Sequence, residues 1–112
     1  MNVENWKSQL RKGVFDMVIL NILKERPLYG LEMIEILDGV PGLAISEGTI
    51  YPLLSRLKAE GVLFAEWVES EQGRPRKYYS LSENGRRTLA ELNEAWFSFS
   101  DNILKLLKGG QS

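Results

Sequence analysis

Seven side chains in this chain are of types that can grip a polyanion. Thr49, Tyr51, Ser55 and Lys58 fall in one stretch, and Arg74, Arg76 and Lys77 in another. Hydroxyl and ammonium groups spaced along one helix face can reach phosphate oxygens and base edges in the major groove of duplex DNA. Cations clustered in a polar loop suit phosphates or minor-groove edges. Bond-making chemistry has much less behind it. The chain has no histidine and no cysteine, so zinc sites, disulfides, thiol nucleophiles and imidazole acid–base catalysis are excluded in their usual forms. Paired acids such as Glu32 and Glu35 read as a solvated face, and no constellation of Lys, Tyr or carboxylates suggests an enzyme or a bound cofactor.

The first group lies within SEGTIYPLLSRLKAEG, residues 46–61. Ile50, Leu53, Leu54 and Leu57 follow the i, i+3, i+4, i+7 spacing of one buried helix face. The opposite face is small along its centre, with Gly48, Pro52, Ser55 and Ala59, and polar or basic at its margins. Such a face lets the backbone approach another surface closely, as a helix in a major groove must; an ordinary solvated helix is the plainer alternative. Ser46 as N-cap puts Glu47 favourably in the first turn but leaves Pro52 past it. Thr49 as N-cap puts Pro52 third. The preferred expectation is a helix from near Ser46, loose or kinked up to Pro52, ending at a left-handed Gly61.

The second group sits between two β-like runs. Residues 62–69 alternate in polarity, and KYYSL (77–81) is rich in β-formers, with the polar loop SEQGRPR between them. This predicts a hairpin with a basic tip, the wing of a winged helix, although a plain solvated hairpin has the same outline.

Two further helices must support the third. Residues 3–25 read as a helix with Gly13 as a weak point. One stripe holds Phe15, Val18, Ile19, Ile22 and Leu23; a second holds Leu10, Val14, Met17 and Asn21. A helix apolar on both sides needs cover on both, and a small domain supplies one, so a partner is expected. Trp6 is expected to contact a second subunit. Pro27 ends this helix. A connection, Leu28-Tyr29-Gly30, leads to a helix from about Tyr29 to Asp38, whose buried side is Leu31, Ile34 and Leu37 with Met33 and Ile36 beside them. Ser82 caps a last helix in which Leu89, Leu92, Trp96, Phe99, Ile103 and Leu106 form a seam with a/d spacing. A second copy of the chain is the economical cover for it.

The whole is a mainly α fold with a two-stranded β wing: a winged helix-turn-helix domain over 1–81, including the N-terminal helix, a C-terminal dimerisation helix over 82–108, and a tail at 109–112. The 112 residues hold one modest core, and the net charge of −1 does not advertise nucleic acid. The charge is polarised, however. Residues 27–55 carry four acids and no base, while residues 72–87 carry Arg74, Arg76, Lys77, Arg86 and Arg87 against Glu83 alone. There is no signal-peptide-like start and no membrane-length apolar run, so a cytoplasmic location is expected.

The runs LYGLEMIEIL, EGTIYPLLSRLKAEGVL and GRPRKYYSLSENG resemble the PadR family of bacterial transcriptional regulators, over roughly residues 10–107. The short C-terminal helix is similar to the small-subunit branch that includes the lactococcal multidrug-responsive regulator. The resemblance implies a homodimeric winged-helix repressor whose first and last helices make the interface. It also implies, for some members, a flat cavity between subunits for planar aromatic compounds stacked on an aromatic residue, and Trp96 stands at that place. The lactococcal-type acidic residue four positions later is replaced here by Ser100, with Asp101 one further on, which weakens any preference for cationic ligands.

Together these readings assign Thr49, Tyr51, Ser55, Lys58, Arg74, Arg76 and Lys77 to an inverted-repeat DNA operator. Trp6, Leu10, Leu89, Leu92, Ile103 and Leu106 are assigned to the homodimer interface. Trp96, Phe99, Met17 and Asn21 are assigned to a planar aromatic ligand, if the first helix crosses the last helix of the other subunit. Trp96 simply filling the dimer core is the alternative. A winged helix used only for protein–protein contact is the competing function, supported by the near-neutral charge and the acidic second helix.

Overall fold

The computed structural model describes residues 1–109; the expected tail lies, beyond Gly109, outside the described residues. Helix α1 spans Val3–Ile22, and the Asn2 side chain opens it by accepting from the Asn5 N–H at 3.1 Å. It stops three residues short of the expected position 25. The Lys24 N–H turns back to the Asn21 carbonyl at 3.3 Å, a tightened last turn that leads the chain toward Pro27.

Leu28–Tyr29 forms a strand, β1, where the sequence reads as a connection. Two residues are too few to show a period, and their partners are 51 and 49 positions away. Leu28 pairs with Tyr79 and Tyr29 with Tyr78. The wing is thereby built into a three-stranded antiparallel sheet, in the order β1-β3-β2.

Helix α2, Gly30–Asp38, begins where the Glu32 carboxylate accepts the Tyr29 N–H at 3.1 Å. It buries Met33 and Leu37, whereas Leu31 and Ile36 face outward. Helix α3 spans Glu47–Ala59 and runs unbroken through Pro52. Ser46 is its N-cap residue, but its hydroxyl bonds to the Thr49 hydroxyl at 3.1 Å instead of accepting a backbone N–H. The expected face of Ile50, Leu54 and Leu57 is buried. At the other end Gly61 has φ +80; its N–H reaches the Lys58 carbonyl (3.0 Å) and the Val62 N–H reaches that of Leu57 (3.2 Å). This is a complete Schellman termination, and its left-handed residue favours glycine.

Strands β2 (Leu63–Val68) and β3 (Arg76–Leu81) pair from Leu63 with Leu81 to Val68 with Arg76. Helix α4, Glu83–Leu107, starts at Ser82, whose hydroxyl accepts the Gly85 N–H at 2.9 Å and donates to the Gly61 carbonyl at 2.7 Å. The core gathers Phe15, Ile19 and Leu23 of α1, Met33 and Leu37 of α2, and Ile50, Leu54 and Leu57 of α3, closed by sheet residues such as Leu63 and Leu81.

Leu89 belongs to that core. It is 6% exposed within its own chain, so it has almost nothing left to offer a dimer seam. Leu92 packs partly against the same cluster. The seam available to a partner therefore begins near Trp96 and continues through Phe99, Ile103 and Leu106, with Leu106 and Leu107 73% and 75% exposed. None of the described helices is long and apolar enough to cross a membrane.

The first turn of α4 lies directly on the backbone where β2 begins. A Cβ at Gly85 would stand 2.0 Å from the Val62 carbonyl oxygen. Backbone cannot yield as a flexible side chain can, so Gly85→Ala is expected to lower unfolding stability by about 2–3 kcal/mol in denaturant titration. A variant as stable as the native chain would show that α4 is free to move off Val62.

Candidate nucleic-acid interface

The exposed side of α3 presents Thr49, Tyr51, Ser55 and Lys58, all four in contact with solvent. Of these, Tyr51 is the most constrained. Its ring lies against Gly30, where an added Cβ would come within 2.5 Å of the ring and its hydroxyl. Glycine at the start of α2 is therefore what lets α3 seat this tyrosine, which is left 38% exposed. Burial, and then the Glu47 carboxylate, raise the Tyr51 phenol above its ordinary value. Burial, and then Tyr51, do the same for Tyr79. Both hydroxyls thus remain neutral donors at physiological pH.

The wing cations are held by aromatic rings. The Arg76 guanidinium sits 4.6 Å from the centre of the Tyr29 ring and donates to Gln72 Oε1 at 3.0 Å. Lys77 Nζ lies 5.7 Å from the Trp67 ring and 5.8 Å from that of Tyr79. Tyr29 is itself fixed edge-on by Tyr78, with ring centres 5.3 Å apart. A ring face steadies a cation without cancelling its charge, as a carboxylate would. Among the described residues, neither Arg76 nor Lys77 forms a salt bridge. Arg74 is exposed at the loop, where Gly73 takes φ +81 and the Ser70 hydroxyl donates to the Arg74 carbonyl.

Helix and wing meet in a cleft of about 360 Å³ lined by Ser55, Lys58, Ala59, Lys77 and Tyr79. It carries two ammonium groups, two hydroxyls and no carboxylate, a set that suits an anion. The structure thus brings Ser55, Lys58 and Lys77 to one place, with Arg76 on the neighbouring aromatic side. Thr49 lies elsewhere, in a second cleft on the α1 side of α3. Sequence reasoning missed the supports Tyr29, Gly30, Trp67 and Tyr79. The run of aromatics in KYYSL is visible in the sequence, but not that β1 lays Tyr29 beside it.

A separate groove of about 350 Å³ runs between α1 and α4, lined by Gly13, Met17, Leu92, Trp96 and Phe99 among others. Met17, Trp96 and Phe99 meet here within one chain, whereas the sequence-based expectation is for the first helix to cross the last helix of the other subunit. Asn21 does not line the groove. Its amide exchanges hydrogen bonds with that of Asn93 at 2.8 and 3.1 Å, bridging the two helices. Among the described residues no cluster of His, Cys, Asp or Glu is arranged to hold a metal ion.

The chain matches the model of the "Transcriptional regulator PadR-like family" over residues 19–91. It is similar to a PadR-like transcription factor of Bacteroides fragilis, with 42% identity, a TM-score of 0.76, and coverage of 91% of this chain and 98% of that one. A PadR family transcriptional regulator of Eggerthella lenta is 36% identical with a TM-score of 0.83, covering 94% and 91%. A transcriptional regulator of Mycobacterium tuberculosis is 38% identical over 71 residues, 63% of this chain and 62% of that one. These relatives are regulators of transcription and not enzymes.

Proposed function

Since this chain belongs to the PadR-like family of transcriptional regulators, we propose that it is a homodimeric repressor that binds an inverted-repeat DNA operator and is released by a small planar aromatic molecule. The observation that carries the DNA reading is the pairing of Arg76 and Lys77 with aromatic rings beside the exposed face of α3. Charge kept available next to a helix with a small, polar outer face fits a phosphate backbone flanking a major groove. In this reading Thr49, Tyr51, Ser55 and Lys58 act from the helix, and Arg74, Arg76 and Lys77 from the wing. A winged helix serving only protein contact has no use for such unneutralised cations, despite the net charge of −1.

The dimer is supported by the apolar end of α4, where Phe97, Phe99, Ile103, Leu104 and Leu106 face solvent in the single chain, and by the exposed Trp6 and Leu10 of α1. Two-fold pairing supplies the two α3 helices that an inverted repeat with half-sites about one helical turn apart requires. The groove at Met17, Trp96 and Phe99 supports the ligand reading, because it joins apolar walls to an indole able to stack on a flat ring.

Replacing Arg74, Arg76 and Lys77 together with alanine should weaken binding to all duplexes. It should also flatten the plot of log K against log salt by about 0.9 for each phosphate that the wing no longer neutralises. An unchanged slope would remove the wing from the interface. Titration with planar aromatic dyes, followed through the dye's own fluorescence because Trp6 and Trp67 also emit, should show tight binding to the native chain. Trp96→Ala should bind about 2- to 10-fold more weakly. Equal binding to both, or to neither, would make Trp96 a packing residue.

A further inference from the structure

We propose that Lys12 of α1 is a second DNA-backbone contact, placed on the side of α3 opposite the wing, and that Arg56 leaves it free for this by engaging Asp16, the acid that would otherwise pair with it. The proposal rests on the DNA-binding reading above and extends it to a helix to which that reading gives no DNA role.

An ion pair joins α1 to α3. The Arg56 guanidinium meets the Asp16 carboxylate at 2.6 Å and also donates to Glu60 at 3.0 Å. Lys12, one turn back along α1 from Asp16, lines a cleft of about 300 Å³ with Thr49 and Pro52, and Asp16 and Arg56 line the same cleft. Lys12 therefore stands beside the N-terminal half of α3, the end that a helix-turn-helix directs into the major groove. A cation beside that end faces the phosphates along one edge of the groove, while Lys58 and Lys77 gather on the wing side of the helix.

Lys12 is exposed and, among the described residues, forms no salt bridge. Its natural partner is Asp16, four positions on along the same helix face. Lysine N-terminal to the acid is the weaker order for such a pair. Arg56 offers Asp16 a short charge-assisted bond from another helix instead. With Arg56 engaged by both Asp16 and Glu60, Lys12 is left outside the ion pairs of this cluster. The same carboxylate, left free, would fold Lys12 back along α1 and repel a phosphate at the groove edge.

The test is the salt dependence of binding to a mixed-sequence DNA duplex, for the native protein and for Lys12→Ala, Lys7→Ala, Arg56→Ala and the Lys12/Arg56 double alanine variant. Lys7 is the control: it has the same charge on the same helix but is paired with Glu4 at 3.6 Å. Lys12→Ala should shallow the slope of log K against log salt by about 0.9 for each lysine, or about 1.8 in a dimer. Lys7→Ala should leave it unchanged. Arg56→Ala should shallow the slope only while Lys12 is present. Alanine is a good helix former at an exposed position, so the fold is retained, which the far-ultraviolet spectrum checks. A native slope with Lys12→Ala, where the native protein itself binds, overturns the Lys12 contact alone. An Arg56→Ala loss of equal size with and without Lys12 overturns the role given to Arg56. A native protein that binds no duplex overturns the DNA-binding reading and this proposal with it.

Discussion

The architecture turns on one crowded junction of four residues. Ser82 donates through its hydroxyl to the Gly61 carbonyl, accepts from the Gly85 N–H, and sends its own N–H to the Val62 carbonyl at 3.1 Å. Gly61 ends α3, Val62 leads into β2, Ser82 follows β3 and Gly85 lies in the first turn of α4. One side chain and two glycines thus fix the relative directions of α3, the wing and the helix that extends away. Gly61 supplies the left-handed turn; Gly85 supplies the absence of a Cβ against Val62.

Electrostatics at the outer surface follow a different logic from bulk charge. The chain is nearly neutral, yet cations are sorted by what holds them. Arg26, Arg56, Arg87 and Lys105 are paired with carboxylates. Arg76 and Lys77 are held against rings, which fixes their positions and leaves their charge to act. The aromatic content of the wing and of β1 thereby supports charge display as well as packing.

Much of this is legible in the sequence. The buried face of α3, its glycine stop, the Ser82 cap and the two long strands all rest on local spacing and cap chemistry, which act over a few residues. What depends on distant partners is not legible. The pairing of Leu28–Tyr29 with β3 has no local signature. Leu89 continues the heptad spacing of the later seam, and only the fold reveals that α4 passes from the core to the surface between Leu89 and Trp96. Asn21 sits in an apolar stripe by spacing, but its mate Asn93 is 72 positions away. Ser46 stands at the start of α3 as its residue type suggests, while the destination of its hydroxyl depends on a rotamer.

Helix α4 has 25 residues, about 37 Å in length, in a molecule whose longest extent is 58 Å. Its second half carries Phe97, Phe99, Ile103, Leu104, Leu106 and Leu107 to the surface, a group of large apolar side chains of the kind that marks an interaction site. In the proposed function a second copy covers this face, since two α3 helices are needed to read an inverted repeat. Sedimentation equilibrium on the native chain and on the Ile103→Glu/Leu106→Glu variant tests this most directly, because both positions lie outside the core. The native chain should sediment at twice its 12.8 kDa mass, and the variant at 12.8 kDa with its helical spectrum intact. A native monomer, or a variant that remains dimeric, would contradict it.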